Sequence, residues 1–452
     1  MRLEHVPATA QIPQIDLPAF DATPWAARRA ELLRRMGSGV AVIPTGSEVL
    51  RNRDAHFPFR FDSYFYYLTG FTEPDAVLVL VAGEQPQSIL FCLPKDETRE
   101  IWDGYRYGPD AARDTFALDA AHTLDALDKV LPKLMADRDA VWYSLGHDAA
   151  WDARLNGWLN AVRGLVRTGV TAPEAVRDVR VLLDEMRLIK DASELATMRR
   201  AAAISCRAHA RAMRFTRPGV REFQVEAELL HEFRMGGAQS PAYGSIVATG
   251  ANACVLHYRA DSAVCADGDL LLIDAGCEVD GYASDITRTF PVNGRFSGPQ
   301  RDCYELVLAA QAAAFAATAP GRHWNEPHDA AVKVLAQGFI DLGLLQGSLD
   351  GVLESKAYSR FYMHRTGHWL GLDVHDAGDY KVGGDWRPLV PGMVLTIEPG
   401  CYIRPADDID ARFHNIGIRI EDDALVTADG HDNLTQDAPK SLADIEALMR
   451  DR

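Results

Sequence analysis

One segment constrains the fold of this chain more than any other: DLLLIDAGCEVDGYASDITRTF, residues 269–290. The segment opens as a buried strand, Leu270–Ile273, and this strand ends on a carboxylate, Asp274. A second carboxylate, Asp285, precedes another strand-like run, Ile286–Phe290. A bare carboxylate in a protein core is strongly unfavourable. The fold must therefore supply something that compensates the charge of these two acids.

The turn between the two runs predicts how the acids are arranged. Asp280-Gly281 is a strong signal for a two-residue hairpin turn. With this turn, Asp274 lies opposite Thr287, and Asp285 lies two residues from Thr287 on the same face. The two carboxylates are then diagonal neighbours, with Cα atoms roughly 7–8 Å apart. A divalent cation between them is the simplest compensation.

Two later apolar strands repeat the pattern, one ending at Glu398 and the other at Glu421. Between them lies MHRTGHWLGLDVHD, which contains His364, His368 and His375. A single acid of this kind is ordinarily a loop end or a helix cap, and a lone histidine is ordinarily surface or core. Acids that repeatedly end apolar strands near clustered histidines favour a metal centre instead. The number of carboxylates favours two ions, and oxygen-rich ligands with one imidazole suit Mn²⁺ or Co²⁺ better than structural zinc.

The spacing of His364 and His368 resembles that of a zinc-binding helix, but the rest of the pattern is missing. The sequence is HRTGH and lacks the glutamate of HExxH. Gly367 also weakens a helix at this point. The zinc-helix interpretation is therefore rejected.

Length and charge narrow the classes of function. A chain of 452 residues predicts two domains. A formal net charge of −17 argues against nucleic acid as a partner. No apolar run is long enough for a bilayer, so no membrane partner is expected, and the start lacks the pattern of a secretory signal.

The cysteines point to a reducing compartment. Their number, seven, is odd, and none forms a CxxC pair. This pattern disfavours a disulfide framework and predicts a cytoplasmic location. A role as small buried apolar residues is favoured for them over a catalytic role.

The order of predicted elements divides the chain into an α/β domain over residues 1–176, a linker over 177–190 and a second domain over 191–452. Asp191 with Glu194 resembles a helix-start box. In the second domain TRPG and TAPG each precede an amphipathic helix and strand-rich sequence, which indicates two similar halves. The first domain alternates strands and helices. Its predicted strands are 40–44, 76–83, 88–94 and 140–144, and its predicted helices are 25–36 and 123–135.

The motifs LLLIDAGCEVDGYASDITRTFPVNG, MHRTGHWLGLDVHD, VLTIEPGCYI and GIRIEDD resemble those of the Xaa-Pro aminopeptidases (aminopeptidase P). The resemblance extends to FRFDSYFYYLTGFTEPDAVLVL and EIWDGYRYGPDAA, and so covers nearly the whole chain. It implies an α/β N-terminal domain and an α+β pita-bread catalytic domain with an internal pseudo-twofold duplication. Creatinase shares this fold but lacks the ligand set, which is filled here.

The resemblance also implies a mechanism: a hydroxide bridging two metal ions hydrolyses the peptide bond before proline. The cofactors are two Mn²⁺ ions, with Co²⁺ or Zn²⁺ as alternatives, and Arg419 supports the layer of ligands. By this resemblance, Glu398 transfers the proton and His375 donates a hydrogen bond to the oxyanion or to the substrate. His364 lines the end of the site that binds proline. The implied ligands are Asp274, Asp285, His368, Glu398 and Glu421. The implied substrate-binding residues are His257, Tyr402, Trp102, Asp54 and Arg167.

Two rival functions remain open at this point. Prolidase has the same metal site but cleaves only Xaa-Pro dipeptides. A non-catalytic pita-bread binding module is less favoured because no ligand is missing. The expected partners are peptides with proline in second position, and the resemblance implies a homo-oligomer, a dimer or a tetramer.

Overall fold

The computed structural model describes residues 19–451. Their contacts define two compact units, Ala19–Arg187 and a second unit that begins at Leu188. The division falls within the stretch 177–190, most of which is a helix. Among residues 19–451, no helix combines the length and the apolarity that crossing a bilayer requires.

The N-terminal unit is an α/β domain. Its strands are β1 (Gly39–Pro44), β2 (Leu50–Asn52), β3 (Ala55–His56), β4 (Val77–Ala82), β5 (Gln87–Cys92), β6 (Ala120–Thr123), β7 (Ala140–Trp142) and β8 (Ala175–Arg177). Six of them form one mixed sheet in the order β6-β5-β4-β1-β7-β8. Strand β1 pairs antiparallel with β4 and parallel with β7. The four strands predicted for this domain are confirmed as β1, β4, β5 and β7.

Helices cover this sheet, and one of the two predicted helices needs a correction. The helices are α1 (Thr23–Met36), α2 (Ser63–Thr69), α3 (Glu97–Asp103), α4 (Gly108–Thr115), α5 (Leu127–Met135), α6 (Ala149–Arg163) and α7 (Arg180–Leu188). The helix predicted over 25–36 is confirmed as α1. The helix predicted over 123–135 begins later, because residues 120–123 pair with β5 and a 3₁₀ turn precedes α5.

The C-terminal unit is an α+β domain built from two similar halves. Its helices are α8 (Ala192–Phe215), α9 (Glu222–Met235), α10 (Gly298–Ala317), α11 (Glu326–Asp341), α12 (Leu349–Ser355) and α13 (Leu442–Arg450). Its strands are β9 (Ser240–Pro241), β10 (Ile246–Thr249), β11 (Leu270–Asp274), β12 (Cys277–Val279), β13 (Tyr282–Ala283), β14 (Thr287–Pro291), β15 (Lys381–Val382), β16 (Asp385–Trp386), β17 (Val394–Ile397), β18 (Gly400–Ile403), β19 (Ile416–Arg419), β20 (Asp422–Val426) and β21 (His431–Asn433).

The duplication is visible in how these elements pair. Helices α8 and α9 pack together beside the sheet β10-β11-β14, and α10 and α11 pack together beside the sheet β17-β20-β21. One large apolar cluster unites the two halves. The predicted start of α8 is confirmed, because Asp191 and Glu194 form a reciprocal capping box.

The hairpin that carries Asp274 has the predicted register. Asp274 lies opposite Thr287 and Val279 opposite Tyr282. The turn residues Asp280 and Gly281 have φ values of 48° and 81°, as a type I′ turn requires. Between these two ladders, the same register is kept by two backbone hydrogen bonds, from Ala275 to Ile286 and from Ser284 to Cys277.

Asp285 itself lies outside the ladder, in the gap between β13 and β14. Its backbone N–H donates to Asp423 Oδ2 at 3.2 Å instead of pairing with a strand. Across the gap, a side chain at Gly276 would place its Cβ 1.7 Å from the carbonyl oxygen of Ser284. Glycine is therefore required at position 276, where the two segments of the hairpin pass each other between Asp274 and Asp285.

Candidate metal centre

Acids from both halves of the C-terminal unit meet at one histidine. Ligand atoms of Asp285, His368 and Glu421 all lie within 4.8 Å of one another. His368 Nε2 is 3.5 Å from Asp285 Oδ2 and 3.7 Å from Glu398 Oε1. Asp285 and Glu421 are buried, and Glu398 is largely shielded from solvent. The fold thus brings together residues that lie more than 130 positions apart in the sequence.

A tyrosine that no sequence pattern marks, Tyr243, joins the two acids of the hairpin. The hydroxyl of Tyr243 donates to Asp274 Oδ1 at 2.6 Å and also contacts Asp285 Oδ1. Burial and the charges of Asp274 and Asp285 raise the pKa of Tyr243 well above its ordinary value, so the hydroxyl keeps its proton. Tyr243 lies shortly before β10, whose Ile246 pairs with Asp274. This pairing places it beside the acids.

The backbone orients His368 for ligation. Its Nδ1 donates to the carbonyl oxygen of Trp369 at 2.9 Å, which leaves Nε2 directed at Asp285 and Glu398. Burial opposes protonation, but the hydrogen bond to Asp285 and the charge of Glu398 outweigh it and raise the pKa of His368 to about 9. A histidine fixed through one ring nitrogen is the usual form of a metal ligand.

The segment around His368 is irregular, which confirms the rejection of the zinc-helix interpretation. Residues 361–368 form no helix. The backbone of His368 instead exchanges hydrogen bonds with Thr396 of β17. A Cβ at Gly367 would lie 2.0 Å from the carbonyl oxygen of Thr396, so only glycine allows this close approach.

The charge balance of the cluster fits divalent cations. Burial raises the pKa of Asp285, raises that of Glu398 to about 7, and raises that of Glu421 well above its ordinary value. The mutual repulsion of these carboxylates adds to the effect of burial. Carboxylate oxygens with one oriented imidazole nitrogen form a donor set for hard or borderline ions. A bound cation would remove the electrostatic penalty that the protein alone leaves.

Arg419 links candidate ligands from the two halves. Its Nη2 donates to Asp274 Oδ2 at 2.6 Å, and its Nη1 donates to the hydroxyl of Tyr402 at 2.9 Å. Its Nε lies 3.2 Å from Thr287 Oγ1, which donates to Glu421 Oε2 at 2.6 Å. Thr287, like Tyr243, was not singled out from the sequence as a site residue. Its position opposite Asp274 in the predicted hairpin was the one available signal.

His364 is held as a neutral imidazole beside the cluster. Its Nδ1 donates to the carbonyl oxygen of Arg365 at 2.7 Å, and its Nε2 accepts from the hydroxyl of Tyr402 at 2.9 Å. Burial lowers the pKa of His364 to about 3. Its Nδ1 is also 3.8 Å from Glu398 Oε2.

An exposed histidine, His375, borders the same cluster. The ring of His375 packs edge-on against His368, with 4.3 Å between the ring centroids. Burial, followed by the charges of His368 and His257, lowers the pKa of His375. His375 and His257 both remain accessible to solvent, and their roles stay predictions.

The remaining residues predicted to bind substrate belong to the N-terminal unit. Trp102 lies on α3 with 80% of its surface exposed. Asp54 lies in the exposed turn between β2 and β3, and Arg167 lies in the exposed 3₁₀ turn Val166–Thr168. Their roles stay predictions.

Comparisons with known proteins identify relatives of both units of the chain. The profile of metallopeptidase family M24 matches residues 196–428, and the profile of the aminopeptidase P N-terminal domain matches residues 25–142. An Xaa-Pro aminopeptidase of Escherichia coli K12 is 43% identical over 425 residues, which is 93% of this chain and 96% of that protein.

Solved structures resemble the chain along nearly all of its length. An aminopeptidase of Pseudomonas aeruginosa is 50% identical, with a TM-score of 0.94 over 96% of this chain and 98% of that one. The zinc-substituted aminopeptidase P of Escherichia coli in complex with product is 42% identical, with a TM-score of 0.93 over 96% and 99% of the two chains.

Proposed function

The chain belongs to metallopeptidase family M24, and from this premise we propose that it removes the N-terminal residue from peptides with proline in second position. The observation that carries the proposal is the meeting of Asp285, Glu421 and Glu398 at His368 Nε2. The similarity to Xaa-Pro aminopeptidases over both domains favours this activity over that of a prolidase. We assign residues 1–176 to the N-terminal domain and 191–452 to the catalytic domain.

Two divalent ions complete the proposed centre. The residues that would hold them are Asp274, Asp285, His368, Glu398 and Glu421. We propose Mn²⁺ as the metal, with Co²⁺ or Zn²⁺ as substitutes, because the donor set is mostly oxygen. When bound, such ions polarise the substrate carbonyl and lower the pKa of water enough to give a nucleophile near neutral pH.

The chain's own groups then move protons and hold the substrate. Glu398 accepts a proton from the attacking water and passes it to the proline nitrogen, a role open to a carboxylate beside the reacting atoms. His375 donates to the oxygen that becomes negatively charged. Arg419 keeps Asp274 and Tyr402 in place, and His364 fixes the hydroxyl of Tyr402 from the other side.

Selectivity for proline requires a dedicated pocket, because proline lacks an N–H and fixes its own φ angle. We assign the proline end to His257, His364 and Tyr402. Trp102, Asp54 and Arg167 are the proposed N-terminal contribution, from the same chain or from another copy in a homo-oligomer. A dimer or tetramer in the cytoplasm is the proposed state, and the seven buried free thiols are suited to a reducing compartment.

Three peptides test the proposed function. Arg-Pro-Pro, Arg-Ala-Pro and the dipeptide Arg-Pro are digested separately, and the products are followed by mass. Release of arginine from Arg-Pro-Pro and none from Arg-Ala-Pro is the expected result. Rapid cleavage of Arg-Pro with an intact Arg-Pro-Pro would identify a prolidase instead.

A further inference from the structure

Glu222, the first residue of α9, is fully buried and binds both ends of one irregular segment, residues 249–263. Its Oε1 accepts from the backbone N–H of Thr249 at 2.9 Å and from Asn252 Nδ2 at 3.0 Å. Its Oε2 accepts from the hydroxyl of Tyr258 at 2.9 Å and from the backbone N–H of Ala263 at 2.9 Å. One carboxylate therefore closes a long loop, with one oxygen for each end.

The surroundings of Glu222 stabilise this arrangement. Its position in the first turn of α9 suits a negative charge. Its backbone N–H donates to the carbonyl oxygen of Ala263 at 3.1 Å, and the next N–H, of Phe223, donates to that of Asp261 at 2.8 Å. A buried carboxylate that accepts several hydrogen bonds is well compensated, and a neutral replacement leaves buried donors without acceptors.

The segment is also fixed against the strand that delivers Arg419. Arg404 Nη2 donates to the carbonyl oxygen of Cys254 at 2.8 Å. Gly417, on β19, packs so closely that a Cβ there would lie 2.4 Å from the carbonyl group of Ala253. Both ends and the early turn of the segment are thus tied down.

The central part of the segment carries His257, whose side chain is exposed and which the proposed function assigns to the proline end. Loop residues reach a defined position only when the backbone on both sides is held. Glu222 supplies this restraint from behind the loop and has no part in the proposed chemistry.

We infer that Glu222 is a positioning residue for substrate binding, which holds the segment 249–263 so that His257 meets the proline end of the peptide. The inference rests on the proposed function. None of the proposed metal ligands lies in the segment, so loss of the restraint weakens peptide binding and leaves metal content unchanged.

The test combines Glu222→Gln with His257→Ala in the full-length, metal-loaded enzyme. The glutamine keeps one oxygen acceptor but turns an amide NH₂ toward the other two donors. We expect Glu222→Gln to raise KM for Arg-Pro-Pro roughly tenfold, since one lost charged hydrogen-bond set is worth about that factor, with kcat within about twofold. In the His257→Ala background, the same change leaves KM unaltered, because the residue that it positions is gone.

Tyr258→Phe is a milder second variant, which removes one of the four hydrogen-bond donors to the Glu222 carboxylate. It replaces Glu222→Gln in the test if that variant does not fold. The matched control is Glu232→Gln, on the same helix, whose side chain pairs with Arg207 at 3.1 Å. The control keeps the KM of the unmodified enzyme.

Equal rises in KM in both backgrounds, or an unchanged KM in both variants, overturn the inference. Hydrogen exchange separates this failure from a failure of the proposed function. An enzyme that leaves Arg-Pro-Pro intact contradicts the function, while faster exchange confined to residues 249–263 in Glu222→Gln still supports the restraint. Unchanged exchange in residues 249–263 of Glu222→Gln would contradict the proposed restraint.

Discussion

Lys190 Nζ lies 2.8 Å from Asp376 Oδ2, and the side chains of both residues are 1% exposed. Asp376 directly follows His375, and its other oxygen accepts from the backbone N–H of Asp373. Its own N–H donates to the carbonyl oxygen of Trp369. A buried ion pair therefore holds the loop that carries the proposed oxyanion donor.

Removal of one partner of this pair leaves a buried charge uncompensated. We expect Lys190→Met to lower the free energy of unfolding by about 3–5 kcal/mol, as for other broken buried pairs. Urea unfolding measures the effect. The control is Arg199→Met, whose Nη2 lies 2.6 Å from Asp432 Oδ2 in a pair with side chains 50% and 37% exposed. Its expected cost is at most about 1 kcal/mol. Similar losses in the two variants would contradict the structural role of the pair.

Metal removal is expected to abolish activity, because no other group then lowers the pKa of water enough to give a nucleophile near neutral pH. The enzyme is dialysed against a chelator, checked by elemental analysis, and then reloaded with Mn²⁺, Co²⁺ or Zn²⁺ in parallel. We expect Mn²⁺ to restore the highest rate. Full activity in a sample that contains no metal would rule out the two-metal mechanism.

Tyr243→Phe removes the hydroxyl that joins Asp274 to Asp285. Groups that hydrogen-bond to a metal's ligands typically contribute about 10–100-fold to metal affinity, so a loss of that size is expected. Competition with a metal-sensitive dye measures the affinity. Tyr304→Phe is the matched control, since its hydroxyl is also buried but donates to the carbonyl oxygen of Lys440 at 2.9 Å. An unchanged affinity in Tyr243→Phe would show that the hydroxyl does not organise the acids.

His375→Ala is expected to lower kcat by roughly 10²–10³, the size of effect expected for one oxyanion donor. Metal content is expected to stay the same, because His375 packs against the proposed ligand His368 and is not among the proposed ligands. Single-turnover rates and elemental analysis are measured together. The exposed His147, in the N-terminal unit, gives the control variant His147→Ala. Loss of metal from His375→Ala would mean that His375 is a ligand.

The register of the hairpin could be predicted because it depends on local rules. A two-residue turn at Asp280-Gly281 and the period of two in a strand together fix which residue opposes Asp274. Helix α8 was predictable for a similar reason, since its capping box lies within four residues. Both patterns depend only on residues that are close together in the sequence.

Contacts that the fold creates over long separations could not be predicted in the same way. Tyr243 reaches Asp274 and Asp285 from 31 and 42 residues away, with no periodicity that marks it. Lys190 and Asp376 are 186 residues apart. A charged residue such as Lys190, near a domain boundary, is ordinarily expected on the exposed surface. Its buried pair with Asp376 becomes visible only in the folded structure.

The pH dependence of stability supplies a last prediction, through His209. This residue is fully buried, and its Nε2 donates to the carbonyl oxygen of Ala275, beside Asp274, at 2.9 Å. Burial lowers the pKa of His209 to about 4 from an ordinary value of 6.5. The folded protein therefore keeps this histidine neutral, while the unfolded chain takes up a proton once the pH falls below 6.5.

The contribution of His209 to stability is accordingly complete above pH 6.5 and is lost progressively as the pH falls from 6.5 toward 4. Between pH 7.5 and pH 5, the linkage amounts to about 2 kcal/mol. Urea unfolding of the wild type and of His209→Gln, both with chelator present, isolates this part, because all other titrating groups are common to the two proteins. We expect the wild type to lose about 2 kcal/mol more than the variant over this range. Parallel stability curves for the two proteins would show that His209 is protonated equally in the folded and unfolded states.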